Sequence, residues 1–302
     1  MRVRKAVIAA AGFGTRFLPA SKSVPKEMLP LLDRPMIQFA VEEAASAGIE
    51  QIIIVTSHGK EVMKAYFDRT PDLERALADK GRTEQLDEML RIASLADIRY
   101  VLQDEQLGLG HAVLCAKYAV GNEPFAVFLP DDIIISSEPA VGQLMKVFDD
   151  QRAQGDLQPH SVIAIQPVQY EDISSYGIID PYEIDPGQIR FLEQGVHQVK
   201  SLVEKPSPGD APSDLGIVGR YILTPEIFSC LERTSRGAIG EIQLTDGLAL
   251  LLREQAIFAY QFQGTRYDVG TPLGMLKASL ELALQREDIG SDFMAFLKSL
   301  ID

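Results

Sequence analysis

Two patterns in the sequence predict an α/β protein with parallel strands joined by crossover helices. Short β-branched runs alternate with helical stretches in KAVIAA, PMIQFAVEEAASAG, QIIIVTS, GKEVMKAYF, IRYVLQ, HAVLCAKYAV and FAVFLP. Alternation of this kind marks a parallel sheet. The helices also carry their own start and stop signals. Pro35 stands at a first-turn position and Gly48 just past the last periodic residue of the first long helix.

Taken in order, KAVIAA is the first strand and runs into a turn of small residues, AAAGFGTRFLP. Two helical patterns, PDLERALADK and RTEQLDEMLRIAS, follow between Pro71 and Ser94, separated by Gly81, and read as a charged helical insertion over the sheet. Beyond Gly155 the pattern shifts to strands and turns in SVIAIQPV, YGIID, VKSLVEKP and GIVGRYIL, which extend the sheet and build a substrate lobe. Helices return in EIQLTDGLALLLREQ and PLGMLKASLELALQRE. The chain is read as one domain over 1–302, with a first half over 1–150, a second half over 151–285 and a C-terminal helix over 286–302. Phe293, Phe296, Leu297, Leu300 and Ile301 share one face of that helix, which requires docking on its own domain or on a second subunit.

At 302 residues, 46% hydrophobic and 24% charged, the chain buries an ordinary globular core. Cys115 and Cys230 show no paired spacing, so neither a disulfide framework nor a thiolate metal site is expected, and a reducing cytoplasmic setting fits. No window approaches the ~20 unbroken apolar residues of a membrane span. A net charge of −14 argues against general nucleic-acid binding. The exception is the N-terminal stretch, which has no acidic residue before Glu27 but carries Arg2, Arg4, Lys5, Arg16, Lys22 and Lys26. Such a patch either steers a polyanion or is solvated surface charge.

The turn from Ala9 to Gly14 lets backbone N–H groups approach a phosphate or a base. It lacks the GK[ST] ending of a P-loop, and Phe17 replaces the third glycine of a dinucleotide fingerprint. Arg16, Lys22 and Lys26 follow it, three cations beside a backbone cradle. Asp131 and Asp132 end FAVFLP, where open α/β sheets bind ligands, and carboxylate oxygen suits a hard cation. Helix capping explains neither, because Ile133, Ile134 and Ile135 follow directly. Asp268 is a second strand-end carboxylate; Thr271, just before Pro272, is the better helix cap. Glu204 and Lys205 are adjacent on a strand and point to opposite faces unless Pro206 supplies a turn. A surface ion pair or a sugar-and-phosphate contact both satisfy that pattern. The histidines show no ligand spacing and no nucleophile elbow occurs; phosphoryl chemistry needs positioning and charge neutralisation rather than a protein nucleophile.

The opening AAGFGTRFLPASKSVPKEMLPLLDRPMIQF closely resembles that of bacterial UTP-glucose-1-phosphate uridylyltransferases, and LGLGHAV, LPDD, SYGIIDP, VEKP, GRYILTPEIF, GEIQLTD and RYDVGTPLGMLKA resemble further blocks of that family in the same order. The resemblance implies a Rossmann-like, mixed and mostly parallel sheet flanked by helices, of the nucleotide-diphospho-sugar transferase type. It also implies conversion of UTP and glucose 1-phosphate to UDP-glucose and pyrophosphate with Mg²⁺. Ala10, Ala11 and Gly12 would then approach the nucleotide, Arg16 and Lys26 hold its phosphates, and Gln103 and Gly108 meet the uracil. Asp131 would serve metal and ribose, Asp268 the metal, and Gly177, Glu204 and Lys205 the sugar and its phosphate. Relatives of this kind assemble as dimers or tetramers. The sequence departs from the family where Ala9 replaces an expected proline and where Val269 to Pro272 reads VGTP instead of a cysteine, glycine, serine run.

A thymidylyltransferase or another sugar-nucleotide pyrophosphorylase fits the same scaffold, since a pocket separates uracil from thymine by only ~1–3 kcal/mol. A non-catalytic regulatory relative would be expected to lack a metal or phosphate ligand, yet Arg16, Lys26, Asp131, Lys205 and Asp268 are all present. A dinucleotide-dependent oxidoreductase is disfavoured by the missing third glycine and by QIIIVTSH, which offers no acid at the second strand tip.

Overall fold

The computed structural model describes residues 2–153, 160–182, 195–237 and 240–301; Gly155, where the strand-rich pattern begins, and the side chain of Ile301 lie outside that set. The first half builds β1 (Lys5–Ala9), a short hairpin β2 (Pro30–Leu31) and β3 (Arg34–Pro35), α1 (Met36–Ser46) and β4 (Gln51–Thr56). Then come α2 (Glu61–Phe67), α3 (Pro71–Asp79), α4 (Thr83–Ile92), β5 (Asp97–Leu102), α5 (Leu109–Cys115), α6 (Lys117–Val120), β6 (Phe125–Phe128), β7 (Asp132–Ile135) and α7 (Ala140–Ala153). The second half adds β8 (Ser161–Pro167), β9 (Gly177–Pro181), β10 (Val196–Glu204), β11 (Leu215–Leu223), α8 (Glu226–Arg233) and α9 (Leu244–Leu251). It ends with β12 (Ile257–Gln261), β13 (Thr265–Asp268), α10 (Pro272–Gln285) and α11 (Gly290–Ile301).

One nine-stranded sheet takes strands from both halves, in the order β5-β4-β1-β6-β11-β8-β12-β10-β9. β5, β4, β1 and β6 are mutually parallel, as the alternation predicts, and β12 lies parallel to β8. β11 and β10 run against their neighbours, so the sheet is mixed. The continuous apolar run of β4 follows from burial on both faces. Ile52 and Ile54 join Ile37, Val41, Leu144 and Phe148 on the side of α1 and α7, while Ile53 and Val55 join Val113, Ile227, Leu231 and Leu248 on the side of α5, α8 and α9.

Local signals and structure agree closely in the insertion and in α1. Met36 follows an extended Pro35, the helix stops at Ala47, and Gly48 turns left-handed with φ 83°. Gly81 does the same between α3 and α4 with φ 66°. The N-terminal basic run is divided by β1: Arg4 and Lys5 pair with Glu123 at 3.1 and 2.7 Å at the start of the strand, whereas Arg16, Lys22 and Lys26 follow it. At the other terminus α11 folds back on α10, and Leu276, Phe296 and Leu300 stay exposed.

Outside the main sheet, β7 and β13 form an antiparallel ribbon that pairs Asp132 with Asp268. This ribbon is anchored by Arg220 of β11, which is 1% exposed. Its guanidinium donates to Leu129 O at 3.1 Å and Asp132 O at 2.7 Å, and binds the Glu43 carboxylate of α1 at 2.7 Å. The other Glu43 oxygen accepts from Val141 N in α7 at 3.0 Å. Removing one partner of a buried pair strands the other charge, so Arg220→Met should cost about 3–5 kcal/mol in urea unfolding. The Glu43→Gln, Arg220→Met double variant should recover a large part of that loss.

Candidate active site

The parallel strands end side by side, and their C-terminal ends supply the first part of the site. Ala10 N donates to Val55 O and Gln103 N to Thr56 O, both at 2.8 Å, which continues the ladder into the loops after β1, β4 and β5. Lys60, 8% exposed, holds the glycine-rich turn from beneath. Its ammonium donates to Ala10 O at 2.7 Å, Gly12 O at 2.6 Å and Glu27 Oε2 at 2.8 Å. Burial lowers the Lys60 pKa and raises that of Glu27, each partly offset by the other's charge. Glu27 is itself buried beside Lys26, so one clamp positions both the turn and the cation-bearing segment.

Gln103 Nε2 donates to Gly108 O at 3.1 Å and approaches His111 Nδ1 at 2.9 Å. Gly108 has φ 93°, and a methyl group there would sit 2.8 Å from Glu241 Cβ, so both backbone and space demand glycine. Leu107 O in turn accepts from Ile242 N at 2.7 Å. The loop after β5 is therefore fastened to the segment that leads into α9.

Lys26 donates to Asp131 Oδ2 at 2.6 Å. Burial opposes the Lys26 charge, but Asp131 and Glu27 outweigh it and hold the amine above the usual lysine range. Burial likewise opposes the Asp131 charge, and Lys26 outweighs it, keeping the carboxyl below its usual range. Because β7 pairs with β13, Asp131 and Asp268 meet. Val269 N donates to Asp131 O at 2.8 Å, and a methyl on Gly270 would lie 2.9 Å from Asp131 Oδ2 and 3.0 Å from Asp268 Oδ1. Thr271 caps α10 by accepting from Gly274 N, as its place before Pro272 predicts, which leaves Asp268 uninvolved in capping.

A cleft of about 580 Å³ is lined by Arg16, Asp131 and Asp268 together with Gly177, Glu204 and Lys205. Lys205 has φ 45°, so the turn arises at this residue itself, ahead of Pro206. That left-handed conformation breaks strand alternation and lets Glu204 and Lys205 line the same cleft, with Nζ 3.4 Å from Glu204 Oε1. A methyl on Gly177 would lie 3.3 Å from Glu204 Oε2 and 3.1 Å from Thr245 Oγ1. Lys22 is exposed on a short 3₁₀ turn and is not among the lining residues.

Ala10, Ala11, Gly12, Gln103 and Gly108 thus gather at the strand ends, and Lys26 is joined to the cleft through Asp131. Sequence reasoning did not single out Lys60, Tyr176, Arg266, Glu241, Gln243 or Thr245, and it grouped Asp132 with Asp131 as a carboxylate for a cation, whereas the structure gives Asp132 to Arg266. Asp132 is buried and accepts from Arg266 Nε at 2.6 Å and Gly219 N at 2.8 Å. Burial works against the Arg266 charge, and Asp132 outweighs it, so the guanidinium is raised. No local pattern marks Arg266; only the register of β7 with β13 brings Asp132 to it.

A mixed α/β sheet with a backbone cradle, two cations and paired carboxylates at its strand ends defines a class of enzyme that handles nucleoside phosphates. The chain belongs to the nucleotidyl transferase family, whose model matches residues 5–285. A UTP–glucose-1-phosphate uridylyltransferase of Bacillus subtilis is 50% identical over 301 residues, covering 99% of this chain and 96% of that protein. A solved UDP-glucose pyrophosphorylase complexed with UDP-glucose matches with a TM-score of 0.81 at 41% identity, over 94% of this chain and 100% of that one. A UTP-bound UGPase from Acinetobacter baumannii matches with a TM-score of 0.87 at 38% identity, over 99% of both chains.

The lowered Asp131 pKa sets the sign of a pH effect. Its ionised form stabilises the folded state above the ordinary carboxylate pKa of about 4, and that stabilisation is lost as pH falls through the lower folded value. Thermal unfolding of wild type and Asp131→Asn from neutral to acidic pH should show a gap that is full near neutrality and shrinks only in strong acid.

Proposed function

We propose that this chain transfers the uridylyl group of UTP to glucose 1-phosphate, giving UDP-glucose and pyrophosphate. The convergence of Arg16, Asp131, Asp268, Glu204 and Lys205 on one cleft carries the reading, because it provides for a triphosphate and a sugar phosphate together. Full-length likeness to a uridylyltransferase and to UTP- and UDP-glucose-bound structures supports it.

In this reading the backbone of Ala10, Ala11 and Gly12 faces the nucleotide, with Gln103 and Gly108 at the uracil and Asp131 near the ribose. Arg16 and Lys26 neutralise the phosphates, Gly177 and Glu204 hold the sugar, and Lys205 holds the acceptor phosphate. An acceptor oxygen attacks the α-phosphorus in line, a new P–O bond forms, and the bond to the β-phosphate breaks to release pyrophosphate. Arg16 and Lys26 stabilise charge on that leaving group. A phosphate monoester is anionic near neutral pH, so no side chain is needed to remove a proton.

Asp131 and Asp268 suit Mg²⁺: two carboxylates flank one glycine, and such an ion completes its shell with water and substrate phosphates. Among the described residues no group of three or more His, Cys, Asp or Glu side chains is placed to hold a metal, in keeping with a site shared with substrate. When bound, Mg²⁺ would polarise the phosphates and offset developing negative charge. Lys26 neutralises Asp131 in the chain alone.

No helix among the described residues is long and apolar enough to cross a membrane. We place the enzyme in the cytoplasm, where free Cys115 and Cys230 are at home, with no nucleic-acid partner. We also infer a homodimer or homotetramer, which would cover Leu273, Leu276, Phe296 and Leu300, each more than half exposed on α10 and α11.

Pyrophosphate release with glucose 1-phosphate and Mg²⁺ should be fastest with UTP, ahead of dTTP, ATP and GTP, and should stop on chelation. Asp131→Ala and Lys26→Ala should each reduce it by roughly 10²-fold or more. A dTTP preference would make the chain a thymidylyltransferase, and UDP-glucose binding without turnover a regulatory relative. Light scattering should report a dimer or tetramer that Phe296→Glu with Leu300→Glu converts to smaller species.

A further inference from the structure

Lys205 occupies a backbone conformation that side chains disfavour, at φ 45°. It persists only if its surroundings hold it. The Lys205 N–H donates to Tyr176 O at 3.0 Å, which ties the turn to the residue just before Gly177. Tyr176 is secured in turn by Arg266. Its hydroxyl accepts from Arg266 Nη1 at 2.8 Å, and the guanidinium carbon lies 5.2 Å from the ring centroid. Arg266 is fixed at its other edge by Asp132, through Nε at 2.6 Å and a second contact from Nη2.

A continuous path therefore runs from Asp132, next to the carboxylate of Asp131, through Arg266 and Tyr176 to the lysine of the sugar-phosphate side. Arg266 also stands two residues before Asp268 on β13, and Asp131 directly precedes the partner strand β7, so the ribbon that carries Arg266 adjoins both carboxylates of the proposed ion site. Arg266 and Tyr176 line the cleft, and Arg266 has its charge committed to Asp132.

We propose that Tyr176 and Arg266 are positioning residues that aim Lys205 at the acceptor phosphate and lock its distance from the Asp131–Asp268 pair. This rests on the reaction proposed above. Tyr176→Phe is the sharpest probe, because it deletes one hydroxyl and keeps the ring. Losing a hydrogen bond to a charged group should raise the KM for glucose 1-phosphate about tenfold, while the KM for UTP and the melting temperature stay near wild type. Arg266→Lys keeps the charge but loses the fork and, because Arg266 also holds Asp132 beside Asp131, should raise the KM for UTP as well, so the selective defect is read from Tyr176→Phe.

The decisive measurement is a double-mutant cycle with Lys205→Met. If Tyr176 acts through Lys205, Tyr176→Phe adds no further loss once the lysine amine is gone. An equal loss in both backgrounds, or a parallel rise of both KM values with a lowered melting temperature, would overturn the inference while leaving the reaction intact. A wild-type chain that releases no pyrophosphate from UTP and glucose 1-phosphate would instead overturn the reaction and this inference with it.

Discussion

The turn from Leu129 to Asp132 joins the main sheet to its ribbon, and two buried arginines hold it from opposite sides. Arg220 takes the backbone carbonyls of Leu129 and Asp132, while Arg266 takes the Asp132 side chain. Each guanidinium is matched by a buried carboxylate, Glu43 for the first and Asp132 for the second. Buried charges of this kind are weak sources of net stability but strong constraints on geometry, because an unpaired member is costly. The consequence falls on Asp131. It sits in the one turn that cannot shift without breaking one of these pairs, so its carboxylate is presented at a fixed place beside Asp268.

A second constraint operates on the other side of the cleft. Lys60 lies beneath the small-residue turn and takes the carbonyls of Ala10 and Gly12, while the Ala10 N–H is used by Val55 O, which leaves the N–H groups beyond Ala10 as the chemistry that turn can offer. Glu27 balances Lys60 and thereby sets the segment carrying Lys26. A chain with net charge −14 thus gathers Lys26 and Lys60 beside this turn, each balanced by a carboxylate of its own.

Much of this was legible along the chain. The central runs of β1, β4 and β6 needed only hydrophobic pattern, because strands covered on both faces are mostly apolar, while the edge strand β5 alternates exposed and half-buried residues. Asp131 and Asp268 stood out because no helix cap used them, whereas the Gly-rich turn also reads as a structural tight turn and stood out only through the cations that follow it. Lys60 gave no such signal, since one lysine after a strand looks like any surface lysine. Asp132 and Arg266 are 134 residues apart, and no short-range rule connects them. The left-handed Lys205 was hidden for a different reason: that conformation is imposed by the Tyr176 carbonyl and not by lysine itself.

What the sequence determined by itself is therefore the order of strands and helices, the small-residue turn and the identity of the charged groups available at the strand ends. Periodicity and side-chain chemistry are local properties, and they can be read one segment at a time. Only the tertiary structure decided which of those charges face one another: the antiparallel β11 and β10, the register of β7 on β13, and the partners of Arg220, Arg266 and Lys60. Pairings between segments distant in the chain depend on how the sheet closes, and that closure is set by burial of the whole core rather than by any one stretch of chain.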